Sequence, residues 1–288
     1  MRYRFIEEHR QTYAVGRLCT MLGIKRSSYY AWKKRRPSPR IQADQAMIDH
    51  IRRIYKMSRR AYGSPRVYAQ LKKQGYSCNL KRVARLMRQN GLQGQRKYRK
   101  VITTNSKHSF PVAPNILNRE FQADKPNQKW VGDITYIPTE EGWLYVAGVL
   151  DLFSRKIVGW AMSSQIDATL VEDALRMALY QRQPHKGLLH HSDRGSQYAS
   201  YQIRNLLDAN QIQVSMSGKG NCYDNAVMES FWGTLKNEWV HYQKYKTRHQ
   251  ARTDIFGYIE GFYNTVRLHS TLGYMSPDEF EAKYQILP

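Results

Sequence analysis

The spacing of apolar side chains changes character along this chain, and the changes mark its parts. In residues 11–35, Leu18, Met21 and Leu22 share one helical stripe. After Gly23, Ser27-Ser28 opens a second helix bearing Tyr29, Tyr30 and Trp32. Lys33 to Arg36, then Pro37 and Pro39, close this pair and begin a linker. A second pair follows. Ser64-Pro65 offers a capping hydroxyl and a proline suited to a first helical turn, Val67 and Leu71 point inward, and Gly75 ends the helix. Asn79 caps the next helix. It sets Leu80, Val83, Leu86 and Met87 on one side and Lys81, Arg82, Arg85 and Arg88 on the other, ending at Gly91.

Residues 93–128 lose periodicity and contain Pro111, Pro114 and Pro126, which predicts a linker. From Lys129 to Pro138 the pattern alternates as a strand does, and residues 143–152 and 156–163 predict two more, joined at 153–155. An amphipathic helix at 167–182, a short strand at 188–191, a helix at 199–210 and a strand at 212–215 come next. Gly218 and Gly220 loosen a loop before a long helix from about Asp224 to Val240. Three consecutive strands followed by alternating helices and strands predict an α/β domain with a mixed sheet, preceded by an α-helical, helix-turn-helix-like region.

Charge sharpens this division. Of the 288 residues, 1–123 hold 29 Lys and Arg against 5 Asp and Glu, whereas 124–288 hold 17 against 18. The net charge of +23 therefore sits wholly in the N-terminal part, which points to a polyanionic partner. Beside that block, the basic face of the Asn79-capped helix suits DNA contact better than a merely solvated bundle face. A hydrophobic content of 41% excludes a disordered polyelectrolyte. No apolar run reaches the roughly 20 residues of a membrane span, and MRYRFIEEHR lacks the core of a secretory signal. Cys19, Cys78 and Cys222 are odd in number and far apart, so reduced thiols in a cytoplasm are expected rather than disulfides or a zinc site.

Three carboxylates stand out. Asp133 lies mid-strand, where an unpaired charge is expensive to bury. Asp193 follows a strand at the carboxyl edge, where open α/β sheets place their sites. Glu229 falls in the first turns of the long helix, with 35 residues between it and Asp193. Hard divalent cations prefer such oxygens, and two of them can stabilise both the attacking and leaving oxygens of phosphodiester cleavage. Taken singly, each has a blander reading: Asp133 as a strand end, Asp193 as a turn residue, Glu229 as helix surface. Asp151, Asp224 and Glu238 are comparable candidates.

Longer motifs go further. Trp130 to Tyr136 (WVGDITY), His191 to Tyr198 (HSDRGSQY), and Gly220 to Ala226 continuing through Glu229-Ser230-Phe231-Trp232 to Leu235-Lys236 resemble the IS3-family insertion-sequence transposases, specifically their second reading-frame product. Tyr62 to Arg66 and the tail, from Tyr263-Asn264 through Arg267, His269-Ser270 and Leu272-Gly273-Tyr274 to Ser276-Pro277, are also similar to that family. The resemblance implies an RNase H-like, retroviral-integrase-like core with a five-stranded sheet. It implies Asp133, Asp193 and Glu229 as the catalytic DDE set, holding two Mg²⁺ ions with Mn²⁺ able to substitute. Lys236, seven residues after Glu229, matches a family lysine expected to contact phosphate near the cut.

The implied reaction frees a 3′-OH at the element end by hydrolysis and joins it to target DNA by transesterification, without a covalent enzyme–DNA intermediate. His191 is expected either to pack beside the site or to serve it, Asn225 to help begin the Glu229 helix, and Trp232 to be core. The chain divides accordingly into a helix-turn-helix-like segment at 1–40, a second helical DNA-binding region at 41–92, a linker at 93–125, the catalytic core at 126–245 and a C-terminal helical extension at 246–288. Expected partners are double-stranded DNA (terminal repeats and target), further copies of the chain, and an upstream reading-frame product, fused or separate. No sustained heptad run for a leucine zipper is present. The expected location is cytoplasmic, at the nucleoid. The alternatives are a non-catalytic DNA-binding regulator of its element and a same-fold nuclease that does not join ends.

Overall fold

The computed structural model describes residues 1–36, 38–94, 110–219 and 221–286. Pro37, Gly220 and residues 95–109 of the expected linker lie outside the described residues. The chain separates into two compact units, Met1–Arg52 and Arg53–Pro288. In the first, α1 (Arg2–His9), α2 (Val15–Met21) and α3 (Arg26–Lys34) close on Ile6, Leu18, Cys19 and Tyr29. Gly23, at φ +64°, makes the turn that a side-chain-bearing residue would strain. Leu18, Cys19 and Leu22 form the inward stripe, whereas Met21 is 75% exposed, because it ends the helix on the solvent side.

The linker expected to begin at Pro39 is instead the 19-residue helix α4 (Pro39–Met57). Ser38-Pro39 is a helix start of the kind read at Ser64-Pro65: the Ser38 hydroxyl accepts from the Ile41 N–H at 3.4 Å, and a first-turn proline forfeits no bond. Met47, Ile48, Ile51 and Ile54 give it a buried face at helical spacing.

In the second unit, α5 (Ser64–Lys73) and α6 (Leu80–Gln89) pair through Val67, Leu71, Val83, Leu86 and Met87. Gly63, not Ser64, precedes α5, and no side chain caps it. Asn79 does cap α6, accepting from the Arg82 N–H at 2.8 Å. Leu80, expected inward, is 42% exposed because it sits at the first helical position, off the Val83–Leu86–Met87 face.

The sheet has the order β3-β2-β1-β4-β5, from β1 (Lys129–Thr139), β2 (Gly142–Asp151), β3 (Ile157–Ser163), β4 (Leu189–Ser192) and β5 (Gln213–Met216). The first three run antiparallel; β4 and β5 are parallel to β1. On one face α7 (Ala168–Arg182), capped by Asp167, buries Leu170, Val171, Ala174, Leu175 and Ala178 against Trp130, Ala147, Val149 and Val158. The helix expected over 199–210 is two: α8 (Ser196–Ala199) and α9 (Tyr201–Ala209), because the Ser200 hydroxyl restarts the chain by accepting from the Ile203 N–H. On the opposite face lies α10 (Ala226–Glu238), followed by α11 (Arg248–Tyr258), a wide turn at 259–263 and α12 (Pro277–Ile286). The Asn264 side chain pairs with both the N–H and C=O of Ile157 at 3.0 Å, closing the β3 edge as a further strand would.

Residues 110–128 carry no helix or strand, yet they are not loose. Leu117 is buried, and the N–H groups of Ile116 and Leu117 both donate to the Ser215 hydroxyl.

Close approach fixes α7. A Cβ on Gly159 would sit 2.2 Å from the Ala174 carbonyl oxygen and 2.7 Å from Ala178 Cβ. Gly159→Ala is therefore expected to destabilise by roughly 3 kcal/mol, the upper range of overpacking. Gly233→Ala, with nothing within 4 Å of the new carbon, should stabilise by about 0.5–1 kcal/mol through helix propensity. Urea-denaturation midpoints of the two variants check both signs.

Candidate active site

Parallel pairing of β1 with β4 ends at Val131 opposite His191. Asp133 lies two residues beyond the first, Asp193 two residues beyond the second. Register alone thus brings both carboxylates to neighbouring positions where β1 outruns its partner strand. The third member arrives from the helical layer. Asp133 pairs across β2 with Gly148, and a Cβ there would meet Met228 Cε at 2.7 Å and the Trp232 ring at 3.0 Å. A glycine at 148 therefore lets α10 lie against the face that carries Asp133. Asn225 ties the start of that helix to β1: its Nδ2 donates to the Gly132 carbonyl at 3.0 Å. It stands at the N-cap position of α10, where its side chain makes no capping bond and instead tethers the helix start.

The electrostatics show which groups meet. Burial, then the charge of Asp193, then that of Glu229, drive the Asp133 carboxyl well above its ordinary range; the Ile134 N–H, 2.9 Å from Oδ1, and Lys236 oppose them. Lys236 is itself pulled down by burial and held up by Asp133. Its ammonium lies 4.5 Å from the centre of the Tyr136 ring. Asp193 Oδ1 accepts from the Gly195 N–H at 2.9 Å, fixing the turn after β4. Asp133, Asp193, Glu229 and Lys236 thus share one field. The carboxylates do not yet converge on a point: among the described residues no three His, Cys, Asp or Glu side chains are set to ligate a single ion.

Sequence reasoning missed two neighbours. The Tyr198 phenol is pushed far up by burial and by the charges of Asp133 and Asp193, so it stays protonated beside both. His190 is buried, with its acidity pushed to about 3, and is therefore neutral at physiological pH. Both rings lie against Gly132, where a Cβ would meet His190 Nε2 at 2.9 Å and Tyr198 at 3.2 Å. Gly132 inside the first motif and Tyr198 at the end of the second were the available signals. His191 resolves to the packing role: its ring nitrogens meet the Ser215 and Ser217 hydroxyls at 2.8 and 3.2 Å, and burial lowers it to about 4. Trp232 is buried at 5% exposure, as core.

The other acidic candidates are structural. Asp151 accepts from the N–H groups of Asn127 and Phe153 and pairs with Arg182. Asp224 accepts from Arg119, Asn115 and the Gly218 N–H, docking the segment before the core onto the loop before α10. Glu238 receives Arg267 through two bonds of 2.7 Å, Arg66 at 3.1 Å and the Tyr258 hydroxyl at 3.3 Å. On α6, Lys81 and Arg88 are exposed, whereas Arg82 and Arg85 are half-buried, with Arg85 reaching Gln89 Oε1 at 3.1 Å. None of these four cations is among the groups acting on Asp133.

A mixed sheet of this order, covered by helices on both faces and preceded by paired helices with a basic face, defines an integrase-core protein with a helix-turn-helix-like region. The Integrase core domain family matches residues 123–222 and again 210–277, and an HTH-like domain family matches 42–100. A 31 kDa protein of insertion element IS600 from Shigella sonnei is 45% identical over 267 residues, 93% of this chain and 98% of its own. Transposase InsF for insertion sequence IS3A from Escherichia coli is 41% identical over 285 residues, 98% and 99% of the two chains. This chain belongs to the IS3-family transposases. Among solved structures, the simian T-cell lymphotropic virus intasome in complex with PP2A regulatory subunit B56 gamma is similar over 82% of this chain and 76% of its own, at 13% identity and a TM-score of 0.49.

Repulsion at Asp133 has a measurable consequence. An acid whose folded value is raised holds its proton more tightly in the folded state, so stability falls as pH climbs from the ordinary 3.8 through the raised value. At neutral pH, Asp133→Asn should therefore raise the melting temperature of the metal-free protein, by roughly 2–4 °C for each kcal/mol of burial penalty and repulsion relieved. Below pH 4 the two proteins should converge. A variant that melts lower than the wild type at pH 7 would mean that the Asp133 carboxyl carries no such burden in the folded state.

Proposed function

We propose that this transposase cleaves the ends of its insertion sequence and joins the freed 3′-OH to target DNA by two-metal-ion phosphodiester hydrolysis and transesterification. Asp133, Asp193 and Glu229 are the catalytic residues. The observation that carries this reading is the raised Asp133 carboxyl, pushed up by burial and by the charges of Asp193 and Glu229 where β1 outruns β4, a strain that a divalent cation relieves. Their oxygens form the hard donor set that suits Mg²⁺, two ions of which they would hold, with Mn²⁺ as a substitute. Bound there, the ions would supply charge stabilisation to the attacking and leaving oxygens of an in-line displacement.

The protein's own groups do the rest. Lys236, partly buried beside Asp133, offsets negative charge and offers an ammonium to a DNA phosphate near the cut. Tyr198, neutral beside Asp133 and Asp193, adds no charge to a crowded field. His191, uncharged and occupied by two serine hydroxyls, braces the β4–β5 end and is not the proton acceptor. No Ser or Tyr nucleophile is required.

Lys81, Arg82, Arg85 and Arg88 on α6 contact the DNA backbone and grooves, in keeping with the concentration of basic charge before residue 124. The division into DNA-binding segments at 1–40 and 41–92, a connecting stretch at 93–125, a core at 126–245 and an extension at 246–288 serves this reaction. Two element ends must be held together, so the working form is an oligomer on DNA, with or without the upstream reading-frame product. No helix among the described residues is long and apolar enough to cross a membrane. A reaction on chromosomal DNA places the protein in the cytoplasm, at the nucleoid.

Duplex DNA carrying the inverted repeats that flank this reading frame is the substrate for the test. Asp193→Asn should bind it as the wild type does and lose both nicking and joining by about a hundred- to a thousandfold or more. A fully active D193N removes the assignment. A pre-cleaved end with a free 3′-OH should be joined to target by the wild type; hydrolysis without joining would identify a nuclease, and binding alone a regulator.

A further inference from the structure

At the tip of the β1–β2 hairpin, aromatic side chains that the reaction just proposed does not use stand on the surface among basic ones. Trp143 is 48% exposed although it stands on a strand, opposite Pro138. Its ring meets the Tyr136 ring nearly perpendicularly, at 84° and 4.8 Å between centroids. The Lys236 ammonium lies over the same Tyr136 ring. The Trp143 backbone is held by Arg248, whose Nε donates to its carbonyl at 3.1 Å.

The segment after α10 completes the surface. Tyr245 bridges to Thr139, and its carbonyl accepts from the Glu140 N–H at 3.0 Å, so the chain at Tyr245 lies against the hairpin tip. They bring Tyr242, 51% exposed, with His241, Lys244 and Lys246, all exposed. His241 lies close enough to feel the charge of Lys236. Glu140 and Glu141 also stand at the tip; Glu141 Oε2 accepts from the Arg248 N–H at 2.8 Å.

Flat aromatic faces flanked by cations that can follow a phosphate backbone are what proteins present to single-stranded nucleic acid. Duplex bases hide their π-faces from such a platform, whereas an unpaired base offers one. We infer that Trp143, backed by Tyr136 and flanked by Lys236, Lys244 and Lys246, is a stacking site for an unpaired nucleobase of a DNA strand passing the active site. The inference rests on the proposed function in taking that strand to be the reacting or displaced one. Pro138 lies five residues beyond Asp133 on β1, roughly 17 Å along the strand and on the other face of the sheet, and Lys236, near both Asp133 and Tyr136, links the two places.

The test uses the full chain without metal, so that no cleavage occurs, and reads binding of a fluorescein-labelled oligothymidylate of about sixteen residues by fluorescence anisotropy at fixed salt. Trp143→Ala should weaken binding roughly tenfold, while Trp143→Phe, which keeps a stacking face, should stay within about threefold. Lys244→Gln and Lys246→Gln should each flatten the dependence of log affinity on log salt by roughly 0.7. Matched melting temperatures exclude misfolding. Wild-type affinity in W143A, equal losses in W143F and W143A, or an equal loss on duplex of the same length would each overturn the stacking site. Because the readout needs no catalysis, an active D193N would remove the proposed function and leave this surface standing.

Discussion

Like charges crowded where one strand outruns its neighbour set the terms for the rest of this molecule. A carboxylate half-buried in a sheet pays a desolvation penalty on its own, and two further carboxylates within its field add to that penalty because the surroundings screen them less than water does. The chain accepts this at Asp133 and holds it in place from several directions. Parallel register carries Asp193 alongside. Gly148 admits the helix that brings Glu229, and Asn225 fastens the start of that helix to the Gly132 carbonyl. Gly132 in turn makes room for His190 and Tyr198, two neutral groups that fill the space without adding charge. Lys236 provides the opposing charge among these neighbours.

The remaining buried acids show what a settled carboxylate looks like in the same fold. Asp151, Asp224 and Glu238 each face an arginine and at least one further donor. Burial works against the charge of Asp224, but Arg119 and the Gly218 N–H override it and hold the carboxyl below its ordinary value. Removing either partner from such a pair would strand a buried charge, so these pairs fix geometry more than they add stability. Asp133 is different in kind: apart from solvent exclusion the strongest influence on it is another acid, Asp193, and Glu229 adds to it. That contrast separates a site from its scaffold where sequence offered six comparable acidic candidates.

Much of the architecture was legible because its signals are local. The alternation from Lys129, the Asn79 cap and the positive-φ glycines at 23, 75 and 91 each decide a backbone conformation within a few residues, and the structure has them. Helix α4 was missed because Pro37 and Pro39 read as breakers, although a proline after a capping serine opens a helix as readily as it ends one. Met21 and Leu80 were set inward by counting periods on helices too short for the period to decide a face. The candidate site was legible through long motifs, not through the spacing of its acids. Its neighbours were less so. Nothing in the order of residues says that Tyr198 and His190 press on Gly132, or that Arg119 docks on Asp224, because those contacts exist only once β1, β4 and the loop before α10 are side by side.

Helix α10 gathers these strands of argument. It carries Glu229, Lys236 and Glu238 at intervals of seven and two residues, so a carboxylate of the site, its counter-charge and a buried anchor ride on one rigid rod. Its N-terminal end is tied to β1 through Asn225; its C-terminal end is tied through Glu238 to Arg267 and Arg66. Sliding such a helix would break buried charged bonds at one end or a buried amide bond at the other, each among the more costly contacts to lose. On the proposed reading, closure of the carboxylates around cations therefore falls to side-chain torsions, above all those of Glu229. Of the three it has the longest side chain, and it stands on the element that is pinned rather than in the sheet. A fixed backbone with one long, adjustable acid lets the site relieve its repulsion when counter-charge arrives without disturbing the anchors on which the two parallel strands and the helix depend.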